Sequence, residues 1–258
     1  MCLLLCAYKS HPRYPLVIGA NRDEYHDRPA AEAGFWEGSP SILAGRDLRA
    51  GGTWLGISRQ GRFAAVTNFI EKAKGTEPPH SRGALVPGFL RSDLLPEEFA
   101  EYILHSGHNY QGFTLVFGTV EGLYCCSNRA DRCVPLSPGF HGLGNRLLND
   151  NSLKVRRGKK ALRALMSGPD ILRPEDLFSL LNDRTAGPCA AETTRANEGE
   201  GPDCSSFLIS GKEFGTRCST GIIIDNSGKV CFAERTFTPD GTPAKTVEFV
   251  FHIDQPPL

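Results

Sequence analysis

Residues 1–8 read MCLLLCAY and residues 18–29 read IGANRDEYHDRP. The first is a short apolar run with a thiol at position two. The second ends an apolar run in an amide, a guanidinium and two carboxylates, Asn21, Arg22, Asp23 and Glu24. Residues 2–8 and 14–21 read as two short strands separated by the turn-forming KSHPR, which makes a hairpin. That hairpin sets the frame for the rest of the chain.

A second hairpin is expected where TWLGIS (53–58) and RFAAVTNF (62–69) flank RQG, with Gly61 supplying a positive φ. Ser81 before RGALVPGFLRS (82–92) and Pro96 before EEFAEYILHSG (97–107) mark two successive helices. Strands follow at FTLVFGTV (113–120), LYCCSN (123–128) and GFHGLGN (139–145). SLKVRRGKKALRALMSG (152–168) and RPEDLFSLLND (173–183) read as further helices. Residues 183–205 have almost no apolar periodicity and are expected to form a long mobile loop. RCSTGIIID (217–225), KVCFAERTF (229–237) and KTVEFVFHI (245–253) close the chain as strands.

Strands run in hairpins at both ends and helices cluster centrally, so the βαβα alternation of a parallel sheet is absent. The pattern predicts an α+β fold with antiparallel sheets. No linker and no internal repeat divides the chain, so residues 1–258 are expected to be one domain.

Lys plus Arg equals Asp plus Glu at 29 each, so no broad basic face is implied and nucleic acid is not an expected partner. The longest apolar runs fall far short of the roughly 18 residues that span a bilayer, and no basic stretch precedes the N-terminal apolar run. No transmembrane segment is expected. Nine cysteines, an odd number in a chain this long, fit a reducing compartment, hence the cytoplasm, better than a disulfide framework. No C-x-x-C pair or zinc-spaced histidine accompanies them, so no metal site is expected, and most of them read as small core hydrophobes.

Cys2 has two readings. It can begin an edge strand. Alternatively, removal of Met1 leaves a thiol and a free α-amine on one residue, with unperturbed pKa values of about 8.5 and about 8. The amine then takes the thiol proton with little penalty, and nucleophile and base are the same residue. The polar cluster bears on this choice. On a strand Asn21 and Asp23 share one face while Arg22 and Glu24 share the other. A carboxylate orients an ammonium and an amide or guanidinium donates to an oxyanion; the plain alternative is a local ion-pair network at a strand end.

In this order MCLLLCAY, LVIGANRDEYHDRP, GGTWLGIS, RFAAVTNF, GLGNRLL and GTRCSTGIIID followed by FAER resemble the transport and Golgi organisation 2 homologue, or NRDE, family from Met1 to about Phe251. The resemblance implies kinship with N-terminal-nucleophile hydrolases and therefore a four-layer αββα sandwich, two antiparallel sheets between helical layers. Carried over residue by residue, it makes Cys2 the nucleophile and base. Asp23 becomes the amine-orienting carboxylate, with Asn21 beside it. Asn68 and Asn145 match positions that bind the amine or the oxyanion. Arg217 matches a late arginine near the nucleophile, whose cation favours thiolate.

One departure stands out. The hydrolase branch carries an arginine where this chain has Ala20, and the arginine here is Arg22, a candidate binding residue or a structural one. No histidine is placed for a cysteine triad; His26 and His141 read as structural or rim residues. In AGGTWLG, Gly51 and Gly52 permit a ligand-binding nest and Trp54 a pocket wall, or else a glycine bulge opens a strand whose tryptophan fills the core.

Two functions are compatible with these residues. One is an N-terminal-cysteine hydrolase or acyltransferase acting on an amide or (thio)ester, with a small-molecule substrate and no required cofactor. The other, implied by the resemblance, is a non-enzymatic carrier of haem or of lipid or acyl-CoA, Golgi- or mitochondria-associated, in which Cys2 could ligate haem.

Overall fold

The computed structural model describes residues 2–71, 80–130, 132–168, 171–185 and 206–254. The strands are β1 (Leu3–Tyr8), β2 (Leu16–Tyr25), β3 (Ala30–Trp36), β4 (Ser39–Asp47), β5 (Leu55–Ser58), β6 (Phe63–Asn68), β7 (Phe113–Gly118), β8 (Leu123–Ser127), β9 (Arg132–Pro135), β10 (Gly139–Leu143), β11 (Phe214–Ile224), β12 (Lys229–Phe237) and β13 (Pro243–His252). The helices are α1 (Leu85–Arg91), α2 (Pro96–Ser106), α3 (Leu153–Met166) and α4 (Pro174–Leu181). Six strands form one antiparallel sheet in the order β10-β1-β2-β11-β12-β13, and seven form the other in the order β3-β4-β5-β6-β7-β8-β9.

The first hairpin explains why its strands are apolar throughout. Leu4, Cys6 and Tyr8 of β1 point into the space between the sheets, where they meet Phe63, Val116 and Phe232, while Leu3, Leu5 and Ala7 point outward onto Leu162, Leu177 and Leu181 of α3 and α4. Both faces are covered, so the strand is a continuous hydrophobic run. On the far side, α1 and α2 seat Leu85, Phe89, Phe99 and Ile103 against Ile42, Ala64, Leu115 and Phe117 of the second sheet. The layers are therefore helix, sheet, sheet, helix, the αββα arrangement that the resemblance implied.

Helix starts follow the same local rule twice. Pro96 and Pro174 occupy first-turn positions where the missing N–H costs nothing, and Glu98 and Asp176 accept the N–H groups of Leu95 and Arg173 at 2.7 and 2.8 Å. Gly61 takes φ +76° in the β5–β6 turn, as that tight loop requires.

Three features differ from the sequence expectation. β3 and β4 at residues 30–47, and β9, are strands that the sequence reading did not assign; β3 and β4 are interrupted by register shifts, and β9 has only four residues. β2 runs on past the expected end at Asn21 to Tyr25. Cys126 and Cys133 form a disulfide, against the expectation of free thiols, because β8–β9 pairing sets them directly opposite at a Cα–Cα distance of 4.0 Å. Most of the loop expected at 183–205 lies outside the described residues. No helix among the described residues is long and apolar enough to cross a membrane.

Candidate functional site

The β1–β2 register pairs Leu3 with Asn21 and Leu4 with Ala20, so its continuation sets Cys2 opposite Arg22. The strand faces follow. Ala20 and Arg22 lie on the inner face with Leu4, and Cys2 joins them around a cavity of about 20 Å³ completed by Trp54, Leu55 and Thr67. Asn21 and Asp23 face the helical layer. The nucleophile candidate thus shares a face with Arg22, and Asp23 approaches it from behind the strand; the 3.9 Å contact of the Cys2 thiol is with the Asp23 carbonyl.

Asn145, two residues past β10, ties this strand end to the other sheet. Its Oδ1 accepts the Cys2 N–H at 2.8 Å, and its Nδ2 donates to the Asn68 carbonyl at the end of β6 at 3.0 Å. Its own carbonyl accepts the Ile70 N–H at 2.9 Å. Asn68 therefore enters through its backbone, and its side chain is exposed. The Asn145 side-chain amide thus holds the Cys2 nitrogen through Oδ1, with one of its two Nδ2–H donors spent on the Asn68 carbonyl.

Behind β2 lies a buried polar network. Asp23 Oδ1 accepts Thr216 Oγ1 at 2.7 Å, and Lys154 Nζ lies 3.4 Å from Asp23 Oδ2. Asn21 is nearby but otherwise engaged: its Nδ2 donates to the carbonyls of Leu181 and Phe207 at 3.1 and 2.8 Å, and its Oδ1 accepts Ser219 Oγ at 2.6 Å. Those bonds clamp α4 and the segment around Phe207 onto the sheet. They commit both Nδ2–H donors of Asn21 to backbone carbonyls.

Arg217 sits at the end of the same strand pair. The β2–β11 register slips between Thr216 and Cys218, so Arg217 occupies a bulge, and its Nη1 donates to the carbonyls of Tyr25 and Arg28 at 2.7 and 3.0 Å. It secures the strand end and makes no hydrogen bond to Cys2. Among the described residues, Arg22 lines the same cavity as Cys2, and Arg82 interacts with Cys2 electrostatically. Burial lowers the Arg82 pKa, while the charges of Glu71, Cys2 and Glu24 act against burial.

Gly51 and Gly52 form a structural turn. Gly51 takes φ +75° and donates to the Asp47 carbonyl at 2.8 Å, and a Cβ on Gly52 would lie 2.3 Å from the Gly83 carbonyl oxygen. The close approach that Gly52 permits is to the turn before α1, not to a ligand. Trp54 does wall the cavity: the Arg22 guanidinium carbon lies 4.2 Å from its ring centroid. Beneath, Glu234 accepts the Ala33 N–H at 2.7 Å, and burial pushes its pKa up.

Lys154, Thr216, Arg82 and Thr67 belong to the site and were not singled out from the sequence. Lys154 carried a signal, because Lys154, Gly158, Leu162 and Met166 recur every four residues on the buried stripe of α3. A lysine on such a stripe calls for a buried acid. The other three become site residues only through sheet packing. A larger cleft of about 240 Å³, lined by Leu136, His141 and Leu147 among others, opens elsewhere and includes none of the expected site residues.

The sequence profile of the Transport and Golgi organisation 2 family matches residues 1–239. A Transport and Golgi organization protein 2 homolog of Bos taurus is 34% identical over 98% of this chain and 99% of its own length. The Homo sapiens homolog is 32% identical over 92% and 93%. Among solved structures, penicillin V acylase of Agrobacterium tumefaciens superposes with a TM-score of 0.54 at 13% identity, covering 98% of this chain and 86% of that one. The C2A mutant of a conjugated bile acid hydrolase from Clostridium perfringens gives 0.55 at 10% identity, covering 98% and 92%. These two likenesses establish the αββα fold of N-terminal-nucleophile hydrolases.

Proposed function

This chain belongs to the Transport and Golgi organisation 2 family, and from that premise we propose that it is an N-terminal-cysteine hydrolase or acyltransferase acting on a small amide or (thio)ester. The observation that carries the reading is the 2.8 Å hydrogen bond from the Cys2 nitrogen to Asn145 Oδ1, beside a thiol that faces a cavity.

Once Met1 is removed, that nitrogen is an amine. A donor bond to Asn145 fixes its orientation and leaves its lone pair to accept the thiol proton. The thiolate sulfur adds to the carbonyl carbon; the leaving amine, alcohol or thiol departs with the proton held by the α-amine, and a thioester remains on Cys2. Water, or an acceptor nucleophile in the transferase version, then gives its proton to the same amine and releases the acyl group. Asp23, neutralised in part by Lys154 and oriented by Thr216, supplies the negative field behind the amine.

A second reading is a carrier that binds an apolar ligand, with haem or acyl-CoA as the candidates, in a retired hydrolase pocket. It is favoured by the fact that Asn21 and Arg217, expected to be catalytic, are bound to structural groups.

An alanine inserted between Met1 and Cys2 tests the choice. It keeps the thiol within one residue of its place but converts the amine into an amide without a basic lone pair. The hydrolase reading requires turnover of acylated amines or thioesters in the parent, a loss of about 10²- to 10⁴-fold in the insertion variant, and an intact mass showing that Met1 is absent from the parent. Full activity in the insertion variant overturns the amine-base mechanism. Haem or acyl-CoA binding unaffected by the insertion, with no parental turnover, establishes the carrier.

A further inference from the structure

Three buried side-chain polar atoms among the described residues have no hydrogen-bond partner: Ser10 Oγ, in the first hairpin turn, Arg22 Nη1 and Thr67 Oγ1. The last two line the same cavity, and Cys2 lines it with them. Arg22 is 6% exposed and Thr67 4%, so neither is satisfied by bulk water. A buried donor left unpaired is costly, and a charged one most of all. Two such groups converging from different sheets, β2 of one and β6 of the other, describe a site that is complete only when something fills it.

The rest of Arg22 is held in place. Its guanidinium lies against Trp54 at 4.2 Å, and its Nη2 sits 4.0 Å from Glu24 Oε2, beyond hydrogen-bonding distance. Glu24 is shared: Arg28 Nε lies 3.8 Å from the same oxygen, and Glu24 Oε1 accepts the Tyr25 N–H at 2.9 Å. A second acid, the buried Glu234, acts on Arg22 through charge alone and accepts the Ala33 N–H, so Nη1 has no hydrogen-bond partner. Arg82 interacts electrostatically with the thiol, and with Glu71 and Glu24 as well.

We propose that this cavity recognises a carboxylate: Arg22 Nη1 and Thr67 Oγ1 donate to one oxygen of a carboxylate borne, a carbon or two away, by the molecule that Cys2 engages. Size restricts the class. The enclosed end, about 20 Å³, holds a single oxygen, the space of one water, while the cavity opens to solvent on the side from which the rest of the molecule enters. The molecules selected are acyl groups with an acid end, which simple fatty acyl groups lack and which alone satisfies both unpaired groups. The proposal rests on Cys2 being the reacting residue of the site, as in the function proposed above, but not on catalysis or on a free α-amine.

The experiment compares iodoacetate with iodoacetamide on the full-length protein, with Cys2 labelling followed by peptide mass. Both reagents place a two-carbon fragment on the thiolate sulfur and release iodide; they differ only in carrying a carboxylate or a neutral amide. A carboxylate site makes iodoacetate labelling of Cys2 saturate with concentration and, below saturation, exceed iodoacetamide labelling by about tenfold or more, the worth of one charge-assisted hydrogen bond. In Arg22→Met the saturation disappears and the ratio falls below one; in Thr67→Val it falls severalfold. Use of the ratio cancels any change in thiolate fraction caused by losing the cation. In a form that needs no variant, malonate protects Cys2 of the parent from iodoacetamide saturably and acetamide does not. A parent that reacts with iodoacetate more slowly and without saturation, and is unprotected by malonate, overturns the proposal, the cavity then holding a structural water. That result leaves the hydrolase reading untouched, and failure of the alanine-insertion test leaves this one standing.

Discussion

Lys154 Nζ lies 3.4 Å from Asp23 Oδ2, with the lysine side chain 4% exposed and the aspartate side chain fully enclosed between α3 and β2. An ion pair so placed is not evidence of a large net stabilisation, since two charges have been taken out of water to make it. Breaking it on one side is another matter. Lys154→Met removes a buried cation from Asp23, which keeps the Thr216 hydroxyl, and is expected to cost about 3–5 kcal/mol, read from urea unfolding; adding Asp23→Asn in that background recovers a large part of the loss. A double variant no more stable than Lys154→Met shows that the pair is not the source of the cost.

Thiol chemistry separates Cys2 from the other free cysteines among the described residues. Burial pushes Cys6 and Cys125 up to about 12, and Cys218 and Cys231 are raised by the same cause. Cys2 is partly exposed at the cavity. Limited alkylation near pH 7 labels Cys2 ahead of those four, as peptide mapping will read. Because Arg217 is bonded to the carbonyls of Tyr25 and Arg28, Arg217→Ala preserves that order. Labelling of Cys6 or Cys218 at the rate of Cys2 contradicts the burial described here.

His141 gives stability a pH dependence whose sign is set by its bonds. Burial lowers its pKa below 6.5, with Lys159 acting the same way and the Ser137 bond opposing. Nε2–H donates to the Ser137 carbonyl at 2.8 Å and Nδ1 accepts Asn149 Nδ2 at 3.0 Å, so the neutral tautomer satisfies both nitrogens. The unfolded chain binds the proton more readily. The stability contributed by this group is therefore complete above the unfolded value near 6.5 and is lost as pH falls through the lower folded value. His141→Gln flattens that part of the profile of unfolding free energy between about pH 5 and 7; an unchanged slope assigns the dependence to another group.

Gly52→Ala tests the reading of the 51–52 turn as architecture. The added methyl meets the Gly83 carbonyl oxygen at 2.3 Å, a backbone atom that cannot turn aside. A loss of about 1–3 kcal/mol is expected from the overpacking, seen as a lowered thermal midpoint. Gly51→Ala adds the strain of φ +75° but meets no neighbouring atom. Wild-type stability in Gly52→Ala, with altered ligand binding, restores Gly52 to the binding site.

The sequence by itself determined the class of fold, the four helices and most of the strands, because these rest on local causes: apolar runs bounded by turns, prolines at helix starts and a four-residue buried stripe. It also brought Cys2, Asp23 and Asn145 to notice as members of one site, through position in strands and family likeness. Tertiary structure alone decided which face each polar residue of β2 serves. A strand turns each successive side chain to the opposite face, so the pairing register and the layers on either side settled that Arg22 shares the cavity with Cys2 while Asn21 clamps a helix. The bulge that turns Arg217 to backbone carbonyls, the entry of Asn68 through its carbonyl and the convergence of Arg22 and Thr67 from opposite sheets depend on contacts between residues tens to hundreds of positions apart. Periodicity within one segment carries no information about such contacts, since they arise only when the two sheets pack face to face.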